Sequence, residues 1–151
     1  MHMKKRIALI TGATSGIGEA CARRFAMGGY NIIMTGRNRK RLDEVKKELE
    51  AEGADVLTLC FDVRDRAQAT KAVETLGEEW QAVDVLINNA GLARGLEPEY
   101  VGDFTDWDEM VDTNIKGLLN MTRLIVPGMV ERDHGHVINI GSVAGDAAYA
   151  G

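Results

Sequence analysis

Disulfide and metal frameworks are excluded first, by what the chain lacks. It holds only 2 cysteines in 151 residues. Cys21 and Cys60 are isolated and show no metal-ligand spacing, so both read as reduced thiols in the core of a cytoplasmic protein and no metal is expected. No apolar run approaches the roughly 20 residues that a membrane span needs. The N-terminal stretch MHMKKRIALIT is interrupted by Thr11-Gly12 too early to serve as a signal peptide. Positive charge is also short: 18 Lys+Arg against 23 Asp+Glu leave a net charge of −5. That balance argues against nucleic acid or an anionic membrane as the main partner. Repeats, low-complexity tracts and linkers are missing too. With 45% hydrophobic and 27% charged residues, residues 1–151 read as one domain.

What is present alternates with regularity. Near-continuous β runs occupy Lys5–Thr11, Tyr30–Gly36, Asp55–Asp62, Val83–Gly91 and His136–Gly141. Helical stripes separate them. Ile17, Ala20, Cys21 and Phe25 mark a helix from Ile17 to Met27, stopped by Gly28-Gly29. Leu42, Val45 and Leu49 mark a second, and Ala69, Val73, Leu76 and Trp80 a third. A long helix is predicted from about Asp106 to Glu131, with Met110, Val111, Leu118, Leu119, Ile125 and Met129 as its apolar positions. Thr105 is its predicted N-cap, and Pro127 is expected to kink its last turns. Strands of this kind between amphipathic helices predict an α/β fold, a parallel sheet covered on both faces.

The first strand leads into ITGATSGIG, with glycines at 12, 16 and 18. Gly12 permits a sharp exit from the strand, Gly16 a close approach of backbone to a ligand, and Gly18 tight helix–strand packing. The free N–H groups and dipole of the helix start then favour a pyrophosphate. The spacing is Gly-x₃-Gly-x-Gly, and the Gly-Lys-Ser/Thr of a triphosphate-binding loop is missing. A purely structural turn is the alternative reading; a strand before and a helix after weigh against it. The second strand ends in TGRN. A carboxylate at this place would accept from an adenosine ribose 2′-hydroxyl, but Arg37 cannot accept. It can instead pair with a 2′-phosphate, a charged hydrogen bond of about 1.5–3 kcal/mol. Lys40 and Arg41 add positive charge nearby. The expected cofactor is NADP rather than NAD.

TGATSGIG, NNAG at Asn88–Gly91, Asn114 in the long helix and INIGS in the fifth strand together resemble the short-chain dehydrogenase/reductase family. More narrowly, NNAGLARGLEPEY and the segments after it resemble its NADP-dependent 3-hydroxy acid and serine dehydrogenases. The resemblance implies a Rossmann-type doubly wound sheet of strand order 3-2-1-4-5. It assigns Gly12, Ser15, Gly16, Ile17 and Gly18 to the pyrophosphate and Arg37 to the 2′-phosphate. Asp62 and Val63 fall to the adenine. Asn88, Ala90 and Gly91 fall to the central sheet and the nicotinamide ribose. Asn114 matches an asparagine whose kinked helix positions a water, and Ser142 the serine that orients the substrate carbonyl.

One element of the family is missing from this stretch. The general acid, the tyrosine of a Tyr-x-x-x-Lys pair, is expected about a dozen residues beyond the serine, past Gly151. Tyr149 lies too close to Ser142, has no lysine four residues on, and better matches a loop tyrosine near the substrate. The chain is thus expected to be the N-terminal part of a longer domain, inactive alone. Arg94, on the loop after the fourth strand, is either a partner for a substrate carboxylate or a plain solvated arginine. His134 and His136 flank a surface turn and read as neither catalytic nor metal-binding. The expected function is an NADP-dependent oxidoreductase interconverting a secondary alcohol and a ketone, with a 3-hydroxy acid or serine as small-molecule substrate. Alternatives are a 3-ketoacyl carrier-protein or sugar ketone reductase, or a non-catalytic NADP(H)-binding module. The family implies a homotetramer or dimer.

Overall fold

The central strand explains the architecture. In the computed structural model, which describes residues 5–146, β1 (Ile7–Ile10) is buried at every position. A strand buried on both sides must be apolar at successive residues, and IALI is. Ile7 and Leu9 enter one core layer, Ala8 and Ile10 the other. Each isoleucine or leucine so buried contributes about 1.5–3 kcal/mol. β2 (Asn31–Gly36), β3 (Val56–Cys60), β4 (Val83–Asn88) and β5 (His136–Asn139) complete a five-stranded sheet in the order β3-β2-β1-β4-β5. All four pairings are parallel. The expected order is the observed one.

Helices α1 (Gly16–Met27) and α2 (Arg39–Ala51) cover one face, placing Ala22, Leu42, Val45 and Leu49 against Ile32, Met34 and Ile87. On the other face, α3 (Arg66–Glu74) and the long C-terminal helix bring Ala69, Met121, Ile125 and Met129 against Ile33 and Leu86. The third predicted helix is in fact two. After α3 a turn at Thr75–Gly77 intervenes, and α4 (Glu78–Gln81) restarts from Gly77. Leu76 and Trp80 still reach the core, so the apolar stripe was real but the helix was not continuous.

The predicted helix Asp106–Glu131 differs more. It begins as α5 (Phe104–Val111), widens into a π-turn at Asp112–Gly117, and resumes as α6 (Leu118–Glu131). Its N-cap is Asp103, not Thr105: the Asp103 carboxylate accepts from the Thr105 N–H at 2.7 Å. A carboxylate also interacts better with the helix dipole than a hydroxyl does. Pro127 does not end α6, which runs one more turn. Ile125 and Met129, buried on either side of it, hold that turn in place. The stop comes at Asp133, at φ 49°, where His134 N–H reaches the Met129 carbonyl and Asp133 N–H that of Val130.

Candidate functional site

The carboxyl ends of the strands open into one cleft of about 1230 Å³. It is walled by the loop after β1, the turn after β2, Phe61–Val63, Asn89–Ala93, and Ile140–Ser142 after β5, with Thr113 and Asn114 from the π-turn. The cleft therefore gathers Gly12, Ser15, Gly16, Ile17, Arg37, Asp62, Val63, Ala90, Gly91, Asn114 and Ser142. Gly18 and Asn88 stand behind its wall, and Arg94 is not on it. Tyr149 falls outside the described residues.

The loop after β1 requires its glycines for different reasons. Gly12 has φ 64°, and a Cβ there would stand 2.9 Å from the Ala90 Cα. Gly18 has no such angle, but a Cβ on it would meet the Gly12 carbonyl oxygen at 2.2 Å. Gly16 faces open space and is needed for its φ of 53°. Ser15 is the N-cap of α1, yet its side chain makes no capping hydrogen bond. Its hydroxyl and the first amides of α1 thus face the cleft with donors to spare. This is a cradle for an anion.

Behind the loop, Asn89 does the fastening. Its Nδ2 donates to the carbonyls of Thr11 (3.0 Å) and Gly12 (3.1 Å). Its own N–H and that of Ala90 donate to Thr11 Oγ1, both at 3.0 Å. The family resemblance assigns Asn88, Ala90 and Gly91 but not Asn89; the doubled asparagine of NNAG is the signal for it. Asn88 lies deeper, donating to Thr122 Oγ1 (3.1 Å) and Asn139 Oδ1 (2.9 Å), which ties β4 to α6 and β5.

At the β2 tip, Arg37 is 59% exposed, with Nη1 3.9 Å from Asp62 Oδ2. Arg39 and Lys40 line the same end of the cleft. Arg39, displayed in RNRK, is a cation of this cluster that the family resemblance does not single out. Arg41 does not join them: its guanidinium turns back to Glu19 and the loop after β1. The Asp62 carboxylate is taken by Arg64, with Nη2 at 2.6 Å and Nε at 3.0 Å. Burial pushes the Asp62 carboxyl up, but the Arg64 bonds outweigh it and hold the group below its ordinary range. Val63 is positioned from behind by Asn120, whose Nδ2 donates to its carbonyl at 2.9 Å.

Ser142 sits past the end of β5, and its Oγ accepts from the Ala144 N–H at 3.1 Å. Among the described residues nothing accepts its hydroxyl proton. Asn114 stands in the π-turn with its amide on the backbone of Leu92. It is exposed. Arg94 binds Glu109, Nε to Oε2 at 2.9 Å, and Glu109 also lies 3.5 Å from Arg64. Among the described residues no cluster of His, Cys, Asp or Glu could hold a metal ion, and no helix is long and apolar enough to cross a membrane.

A parallel sheet of this order, with an anion cradle at its first turn and cations at its second, defines a dinucleotide-binding unit. The chain belongs to the short-chain dehydrogenase family, whose profile matches residues 6–151. It is 53% identical to the NADP-dependent 3-hydroxy acid dehydrogenase YdfG of Salmonella typhi, over 96% of this chain and 57% of that protein. It is 46% identical to sulfoacetaldehyde reductase 2 of Chromohalobacter salexigens, over 96% of this chain and 58% of that one. Among solved structures, the closed form of a serine dehydrogenase complexed with NADP+ superposes with a TM-score of 0.92 at 51% identity, covering 96% of this chain and 57% of that chain. The chain thus spans a little over half the length of the curated relatives it matches.

Proposed function

We propose that residues 1–151 are the cofactor-binding part of an NADP-dependent oxidoreductase that interconverts a secondary alcohol and a ketone. The observation that carries this reading is the β2 tip, where Arg37, Arg39 and Lys40 face the cleft and no carboxylate follows the strand directly. A cation cluster there suits a 2′-phosphate and gives a ribose 2′-hydroxyl no acceptor. The cradle also fits: Ser15 and the first amides of α1 would hold the pyrophosphate, Asp62 and Val63 the adenine. Asn89, Ala90 and Gly91 would wall the nicotinamide ribose. The nicotinamide, when bound, supplies or receives the hydride. Ser142 would donate a hydrogen bond to the carbonyl oxygen, where negative charge develops. Asn114 would hold a water for proton exchange. The proton donor itself, a tyrosine with a lysine four residues on, we place beyond Gly151.

A small substrate with an acidic group is supported by the names of three relatives, since 3-hydroxy acids, serine and sulfoacetaldehyde all carry one. Arg94 is the candidate to meet it, exchanging the Glu109 carboxylate for that of the substrate. Val111, Ile115 and Leu119 leave an apolar strip exposed on α5, the π-turn and α6. We assign that strip to a dimer or tetramer of the full-length protein, which light scattering would test.

The experiment is a substrate panel on the full-length protein. NADP-linked oxidation of 3-hydroxy acids is expected, and Arg94→Ala should raise their KM by about tenfold, or ~1.4 kcal/mol. Preference for uncharged alcohols, unaffected by Arg94→Ala, would overturn the substrate class.

A further inference from the structure

Arg41 does not itself line the cleft, yet it joins the two places where the cofactor's phosphates would bind. It stands in the first turn of α2, directly after Arg37–Lys40. Its Nη2 donates to both carboxylate oxygens of Glu19, at 2.9 and 2.8 Å. Its Nε donates to the Thr14 carbonyl at 3.3 Å, within the loop after β1. Nη1 reaches Glu44 at 3.3 Å. One planar guanidinium thus binds the first turn of α1, the loop before it and its own helix.

Glu19 makes this arrangement informative. It lies in the opening turn of α1, next to the amides that would receive a pyrophosphate, and its side chain is only 16% exposed. A carboxylate there satisfies the helix dipole but repels a phosphate. Arg23 donates to it at 2.8 and 3.2 Å from within α1, and Arg41 does so from α2. Two guanidiniums therefore neutralise it. Arg23 continues to Glu48 of α2, so the clamp has a second strut. Thr14 completes the joint, since its methyl packs where a Cβ on Gly36 would fall, 2.7 Å away. Arg41, Arg23 and Thr14 thus tie the loop after β1 to the β2 tip and α2.

We infer that Arg41 is a positioning residue for NADP selectivity: with Glu19 it fixes the distance between the pyrophosphate cradle and the 2′-phosphate cations. A ligand that spans two subsites gains most when the subsites are held at the right separation. A fragment that uses only one gains nothing from that spacing. The role rests on the cofactor reading above and goes beyond it, because Arg41 itself does not line the cleft.

The test compares a spanning ligand with its parts. In the full-length protein, NADPH, ADP and adenosine 2′-monophosphate are titrated against the unsubstituted form, Arg41→Gln and Glu19→Gln. Arg41→Gln is expected to weaken NADPH by about tenfold while each fragment changes by less than about twofold. Arg41→Lys, a point charge without the fork, should recover only part of the loss. Glu19→Gln weakens the same joint, losing the charge and one of the two acceptors, without changing the charge of α2, and should show the same pattern in milder form; it carries the test if Arg41→Gln fails to fold. Equal losses for fragments and NADPH would mean a local or purely electrostatic role and overturn the inference. So would undiminished NADPH binding. Equal affinities of the unsubstituted protein for NADPH and NADH would instead sink the cofactor reading.

Discussion

Asn114 grips the backbone of Leu92 with both ends of its amide: Nδ2 donates to the Leu92 carbonyl at 2.8 Å, and Oδ1 accepts from the Leu92 N–H at 2.9 Å. An asparagine can do this because its donor and acceptor are fixed side by side. The π-turn at Asp112–Gly117 supplies the geometry. Gly91 supplies the room, since a Cβ there would stand 3.1 Å from Asn114 Oδ1. The loop after β4 is thereby pinned to the helix across the cleft.

Asn114→Asp should break one half of this grip, because a second carboxylate oxygen would face the Leu92 carbonyl. A loss of about 0.5–1.5 kcal/mol per bond is expected. Hydrogen exchange at the Leu92 amide should quicken in Asn114→Ala, and turnover of the full-length enzyme should fall in both variants. An unchanged exchange rate at Leu92 would show that the grip does not order the loop in solution.

Cofactor preference follows from Arg37. NADPH should bind at least about tenfold more tightly than NADH, the equivalent of one charged hydrogen bond. Arg37→Asp should reverse the order, by adding a hydroxyl acceptor and repelling the phosphate. Fluorescence titration decides this, and equal affinities in the unsubstituted protein would discard the assignment.

Much of this architecture was legible in the chain because its two periods differ sharply. IALI, NIIMTG and VDVLIN can only be doubly buried strands, and the glycines of ITGATSGIG force the loop that makes the cradle. Residues whose partners lie far away were not legible. Arg41 and Arg37 look alike in TGRNRKR, and only packing turns one to Glu19 and leaves the other in the cleft. The π-turn was hidden as well, since apolar spacing reads an average helix and one extra residue per turn hardly disturbs it. The role of Asn89 is not legible either, because its hydrogen bonds go to backbone 77 and 78 residues away.

Acidification should unfold the protein partly through Asp62. Its carboxyl is held below an ordinary value of 3.8, burial raising it but Arg64 prevailing. A depressed folded value means the stabilisation is complete above that ordinary value and is lost as pH falls through the lower, folded one. Glu19, held low by Arg23 first and then Arg41, adds to the same slope. Thermal melts from neutral pH down to about 2.5 should show a steep acid limb that Asp62→Asn flattens. An identical limb in the variant would place the acid sensitivity elsewhere.

A polypeptide of residues 1–151 is expected to catalyse nothing, even where it folds. Among the described residues, the titratable groups on the cleft are Arg37, Arg39, Lys40 and Asp62. All four follow β2 or β3, whereas Ser142 follows β5 on the far side of β1 and β4. Ser142 has a hydroxyl, and Asn114 has an amide that is bound to Leu92 at both ends. Neither can deliver a proton at neutral pH, because a serine hydroxyl is too weak an acid and an amide does not titrate. General acid catalysis contributes about 10²–10⁴-fold. A hydride donor misplaced by about 1 Å for want of a lysine at the ribose loses another ~10². Together these leave a rate near background. A full-length protein carrying the tyrosine and lysine should turn over, and phenylalanine in place of that tyrosine should abolish it. Saturable NADPH oxidation by purified residues 1–151, free of host reductases, would mean that the acid lies within this chain and that Tyr149 is the side chain to test next.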